Sequence, residues 1–83
     1  ENKNIETSYI FNSLIQVYAN GNVSKLALLI KKDRSYINRM KSGKHSIGFE
    51  NLINICRLLE EDYTSNSFQI IEKVILKIKN FSA

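Results

Sequence analysis

The chain has no proline and no tryptophan, and among its 83 residues only three glycines, one cysteine and one histidine. Each shortage closes off a class of protein. A single cysteine, Cys56, excludes a disulfide framework within the chain. Cys56 and His45 together fall short of the four ligands a structural zinc site needs, so neither a metal nor another cofactor is expected. No apolar run approaches the ~18 residues of a membrane span. No basic start, apolar run and small-residue cleavage site marks a signal peptide. A soluble, cytoplasmic protein without a membrane partner is the expectation. It opens on Glu1 rather than Met, as a chain trimmed from a longer one would. No Ser/His/Asp constellation, carboxylate pair or glycine-rich phosphate loop is present, so no enzyme is expected. Cys56 reads as a buried thiol on an apolar helix face rather than a nucleophile.

What the chain does have is unevenly placed charge. The net charge is +4, with 12 basic and 8 acidic residues. Between Lys25 and Lys44 lie Lys25, Lys31, Lys32, Arg34, Arg39, Lys41 and Lys44 against one acid, Asp33. That stretch carries +6, and the remainder sums to −2. A charge run is often only a solvated face, but a concentration of one sign is also what a polyanion binder needs.

The three glycines, Gly21, Gly43 and Gly48, fall between segments of helical apolar periodicity, and nothing alternates with period two for long enough to make a sheet. An all-α, compact five-helix bundle is expected. The first helix covers about 5–19, with Phe11, Leu14, Ile15 and Tyr18 on one face. Asn20-Gly21-Asn22 ends it, Gly21 suiting a left-handed cap. A second helix covers about 23–31, capped by Asn22 or Ser24, with Leu26, Ala27, Leu29 and Ile30 inward. After a short turn a third helix covers about 34–41, with Asp33 as N-cap. Its apolar residues are Ile37 and Met40, so most of it faces out. A fourth helix spans about 48–60, with Phe49, Leu52, Ile53, Ile55, Cys56 and Leu59 inward. A polar linker, 61–66, leads to a fifth helix at about 67–81. In domain terms, 1–66 form the core and 67–83 a C-terminal helix within a single domain.

A short helix, a brief turn and a polar-faced basic helix make a helix-turn-helix. The stretch Leu26-Ala27-Leu28-Leu29-Ile30-Lys31-Lys32-Asp33-Arg34-Ser35-Tyr36-Ile37-Asn38-Arg39-Met40-Lys41-Ser42-Gly43-Lys44 resembles the Cro/repressor-type, λ-repressor-like helix-turn-helix. The run from Phe49 to Leu59 is similar to that family's next helix. The resemblance covers about 35 residues without a gap. It departs from the family at Lys31 and Lys32, where a Gly and an aliphatic residue are usual, and at Leu28 and Leu29, where polar residues are usual. Glu60 and Glu61 replace a frequent Gly-aliphatic pair. A non-glycine residue at positive φ costs about 1 kcal/mol, so the turn is either strained or takes another path.

The resemblance implies a sequence-specific double-stranded DNA-binding transcription regulator, a repressor of phage or mobile-element type. It places the third helix in the major groove. Arg34, Ser35, Asn38 and Arg39 are then the base-contacting set: Arg suits guanine O6 and N7, and Asn suits adenine N6 and N7. Asn22, Ser24 and Lys25 at the start of the second helix, with Lys41, Lys44 and His45 after the reading face, are the phosphate set. Tyr36 either joins them or packs on the domain. The fifth helix is more apolar than a terminal helix requires: Phe68, Ile71, Ile75, Ile78 and Phe81 make one stripe, widened by Ile70, Val74 and Leu76. A homodimer with Ile71, Ile75 and Ile78 at its seam is expected, holding two recognition helices about 34 Å apart. The competing class is a protein-interaction module on the same scaffold (an antirepressor, recombination accessory or antitoxin) that binds through Leu28 and the fifth helix.

Overall fold

A computed structural model describes residues 5–82, with side chains described to residue 81. Among the described residues there are five helices: α1 (Ile5–Ala19), α2 (Val23–Leu29), α3 (Arg34–Lys41), α4 (Phe49–Glu60) and α5 (Ser67–Ser82). No strand occurs among the described residues. The chain divides after Ile47 into a unit containing α1–α3 and a unit containing α4 and α5. The boundary expected at 66/67 does not coincide with this division, because α4 and α5 pack on each other.

In the first unit α1 contacts both α2 and α3, and α2 contacts α3. Phe11, Leu14, Ile15 and Ala19 of α1 are buried, as are Leu26, Ala27 and Ile30, and Ile37 and Met40 of α3. Leu29, expected inward, is instead exposed. At 100° per residue it falls outside the arc that Leu26, Ala27 and Ile30 occupy. The helix starts follow the side-chain caps. Asn22 Oδ1 accepts from the Lys25 amide at 3.0 Å, and Asp33 Oδ1 from the Tyr36 amide at 2.8 Å. Ser24 does not cap α2. At the end of α1, Asn20 and Gly21 both take positive φ, and the Gly21 amide donates to the Ile15 carbonyl at 3.0 Å.

The turn between α2 and α3 takes the strained path. Lys31 has φ +57°. Its amide donates to the Leu28 carbonyl at 3.3 Å, and the Lys32 amide to the Ala27 carbonyl at 2.9 Å. This pair of bonds is the Schellman ending that glycine normally closes. It also ends α2 at Leu29, two residues before the expected boundary. Lys31→Gly is therefore expected to raise stability by about 0.5–1 kcal/mol, relief of the Cβ clash exceeding the added freedom of the unfolded chain. Thermal unfolding checks it: a variant no more stable than the parent would mean that Lys31 carries no strain.

In the second unit α4 buries Ile53, Ile55 and Cys56. Phe49, expected inward, is 58% exposed. Helical side chains lean toward the N-terminus, so the first residue's ring projects past the start of its own helix. Leu52 and Leu59 are half-buried. The segment after α4 is a built turn rather than a loose linker. Glu61 sits at φ +52°. Asp62 Oδ1 accepts from the Thr64 and Ser65 amides, each at 3.1 Å, and its Oδ2 from the Ser65 hydroxyl at 2.7 Å. The Arg57 guanidinium donates to the Ser65 carbonyl at 2.8 Å. Asn66 and Gln69 form a reciprocal capping box at the start of α5, with bonds of 2.9 and 3.1 Å. The Lys73 ammonium pairs with Asp62. That contact first, then the Ser65 and Thr64 bonds, hold the Asp62 carboxyl well below the ordinary carboxylate range.

Candidate nucleic-acid interface

All the residues expected to meet DNA lie in the first unit, so their mutual placement is set by α1–α3. On α3, Arg34, Ser35, Asn38 and Arg39 are exposed. At 100° per residue they fill one continuous arc of about 140°. Ile37 and Met40 hold the opposite side and are buried. The four expected base-contacting residues are thus on one face, and no apolar side chain interrupts it.

Tyr36 does not belong to that face. It falls on the inner side of α3, and its ring meets Phe11 edge-on, with centroids 6.1 Å apart and an interplanar angle of 68°. Its hydroxyl is buried without a hydrogen-bond partner among the described residues. Burial pushes the phenol above its usual range, with Arg39 opposing. The phosphate role expected for Tyr36 is therefore corrected: the oxygen that would make the contact is enclosed by the protein. Lys32 lies over the outer side of this residue, its Nζ 5.1 Å from the ring centroid.

The residues expected to meet phosphate are spread around the exposed face of α3. Ser24, Lys25, Lys44 and His45 are exposed, and Lys41 is half-buried at the edge of the α3 arc. Asn22 is exposed, but its Oδ1 serves as the α2 cap. The Lys25 amide is engaged in that cap, which leaves the seven-residue α2 a weaker anion site than its free N-terminus would be.

Two residues that carry no motif signal position the exit from α3. The Ser8 hydroxyl donates to the Lys41 carbonyl at 2.6 Å, and Thr7 Oγ1 accepts from the Ile47 amide at 3.1 Å. Both hydroxyls stand on α1 and so fasten the two ends of the segment that carries Lys44 and His45. Asn12 Nδ2 in turn donates to the Ser8 carbonyl at 3.0 Å. Within the segment, Gly43 takes φ +78°, and Ser42 Oγ donates to the Arg39 carbonyl at 2.7 Å.

The charge of this face is not neutralised from within. Among the described residues the ion pairs are Lys73–Asp62 and Lys77–Glu60, both in the second unit. Asp33, the one acid of the basic stretch, has its carboxylate engaged by the Tyr36 amide. Lys25, Lys31, Lys32, Arg34, Arg39 and Lys44 all remain exposed.

Elsewhere, Cys56 is buried and its thiol is pushed up to about 11, by burial first and Glu60 second. At neutral pH it is a thiol and not a thiolate. Among the described residues no three His, Cys, Asp or Glu side chains gather as metal ligands. No described helix is long and apolar enough to cross a membrane. No family model, curated protein or solved structure matches the chain.

Proposed function

We propose that the chain is a sequence-specific double-stranded DNA-binding regulator that lays α3 in the major groove. One observation carries this reading: the outer face of α3 is continuous, polar and cationic, while its inner face is fully committed to the core. A helix held by Ile37 and Met40 presents Arg34, Ser35, Asn38 and Arg39 in fixed register, and these are residue types that pair with base edges. Lys25, Lys41 and Lys44, with Ser24 and His45, flank them and hold the backbone. Lys32, stacked on Tyr36, adds to the positive field at the turn.

Duplex affinity measured against salt tests the proposal. Each phosphate neutralised contributes about −0.9 to the slope of log K on log salt, so Lys25, Lys41 and Lys44 together give a slope near about −3. Selection from random duplexes should also return a short consensus. A slope near zero, or no duplex binding at low salt, removes the DNA reading. One observation favours the second class, a protein-interaction module: Leu28 on α2 is 81% exposed, an apolar side chain with no packing role in its unit. In that case duplex binding is absent and Leu28 is the contact.

A further inference from the structure

The turn between α1 and α2 holds a chemically reactive pair. Asn20 precedes Gly21, and no other asparagine of the chain is followed by glycine. The amide carbon of an asparagine side chain is open to attack by the backbone nitrogen of the next residue. Here the Gly21 nitrogen, having lost its proton to hydroxide, bonds to Asn20 Cγ. The Cγ–Nδ2 bond breaks, and Nδ2 leaves as ammonia with a proton from water. The succinimide so formed takes up a water molecule. Opening at Cγ leaves an aspartate in an ordinary main chain. Opening at the backbone carbonyl leaves an isoaspartate, whose main chain runs through Cβ and Cγ. The net change is amide plus water to carboxylate plus ammonium, with no oxidant or reductant. Glycine favours the attack because it has no Cβ to crowd its nitrogen.

Access does not restrain the reaction, since Asn20 is exposed to solvent base. The turn does. Asn20 has φ +52° and Gly21 φ +86°. The Gly21 amide, whose nitrogen is the nucleophile, donates to the Ile15 carbonyl at 3.0 Å, and the Asn22 amide donates to the Ala19 carbonyl at 2.9 Å. Both acceptors belong to buried residues of α1. A donating N–H keeps its proton, and its nitrogen cannot turn to Cγ without giving up that bond. The turn must open first, so conversion follows the population of the open turn.

We infer that Asn20 is a self-modification site of this chain, silent while the α1–α2 turn is closed and converted when it opens. The isoaspartate form adds a carbon to the main chain between Ala19 and Gly21. That puts both turn bonds out of register immediately before Asn22, the cap of α2. An opening that closure would otherwise reverse becomes permanent. The inference stands apart from the DNA reading and is tested without DNA, so either can fail alone.

Incubation of the whole chain at mildly alkaline pH, folded and in urea, followed by peptide mass spectrometry, decides it. In urea Asn20 converts faster than Asn12 and Asn66, each of which precedes a serine. In the folded chain conversion at Asn20 slows by at least about tenfold. Phe11→Ala removes the ring contact with Tyr36 without touching the turn, and brings the rate in buffer back toward the urea value. The isoaspartate form, isolated from urea and returned to buffer, melts below Asn20→Asp, which has the same charge and an ordinary main chain. The inference is overturned if Asn20 converts as fast in the folded chain as in urea, or no faster in urea than Asn12 and Asn66. It is equally overturned if Phe11→Ala leaves the rate at the parental value, or if the isoaspartate form is as stable as Asn20→Asp.

Discussion

Arg34→Ala should lose about 1–3 kcal/mol of discrimination at one or two base pairs, roughly tenfold to a hundredfold in specificity, with the fold intact. Arg34 is the first residue of α3, exposed, and on the same arc as Asn38. A cation at the first helical position opposes the helix dipole, so the residue has no local structural merit there. Asn38→Ala is expected to behave the same way at a neighbouring base pair, since an exposed mid-helix asparagine does little for the helix itself. Lys44→Ala is the contrast. It lies beyond the reading face, in the segment fastened by Ser8 and Thr7. Its loss should weaken all duplexes about equally and reduce the salt slope by about 1. Affinities for the selected site, its single-base variants and random duplex separate the two behaviours. If Arg34→Ala and Lys44→Ala give the same profile across these duplexes, α3 does not face the bases.

Much of this arrangement is legible in local patterns. Asp33 announces α3, and Asn22 or Ser24 announces α2, because a short acceptor side chain at a helix start satisfies one of its unpaired amides; the structure uses Asn22. The outward face of α3 follows from its having just two aliphatic anchors, Ile37 and Met40, in eight residues. The sequence leaves two paths open for the turn at Lys31 and Lys32, a strained one and another, and the backbone takes the strained one. What escapes is contact between distant residues. Ser8 and Lys41 are 33 residues apart, and Thr7 and Ile47 are 40, and a serine or threonine in a helix carries no mark of the carbonyl or amide it will meet. The phase of α5 escapes for another reason. Apolar residues surround most of its circumference, so periodicity alone does not say that Ile70 and Val74 turn inward while Phe68 and Ile75 turn out. Tyr36 is legible in neither way. A tyrosine in the first turn of a reading helix suits a phosphate as well as a core, and the Phe11 ring decides it.

That decision leads to the largest effect expected on the fold. Phe11 is fully buried and holds the inner side of α3 through Tyr36. Phe11→Ala should cost about 3–5 kcal/mol, the lost transfer energy of the ring plus the cavity left behind. A chain of this length has a total stability of about 4–12 kcal/mol, so the variant should lose a large share of it and melt at a markedly lower temperature. Tyr36→Phe, at the other side of the same ring contact, should move stability the opposite way. Its hydroxyl is buried without a partner among the described residues, and removing it while keeping the ring should gain about 1 kcal/mol. Urea denaturation measures both. Duplex binding by Tyr36→Phe then separates packing from recognition. A hydroxyl enclosed by the protein has no phosphate to lose, so affinity should stay at the parental value on every sequence. A folded Tyr36→Phe variant that binds all duplexes more weakly would mean that α3 opens on DNA and delivers the phenol to the backbone.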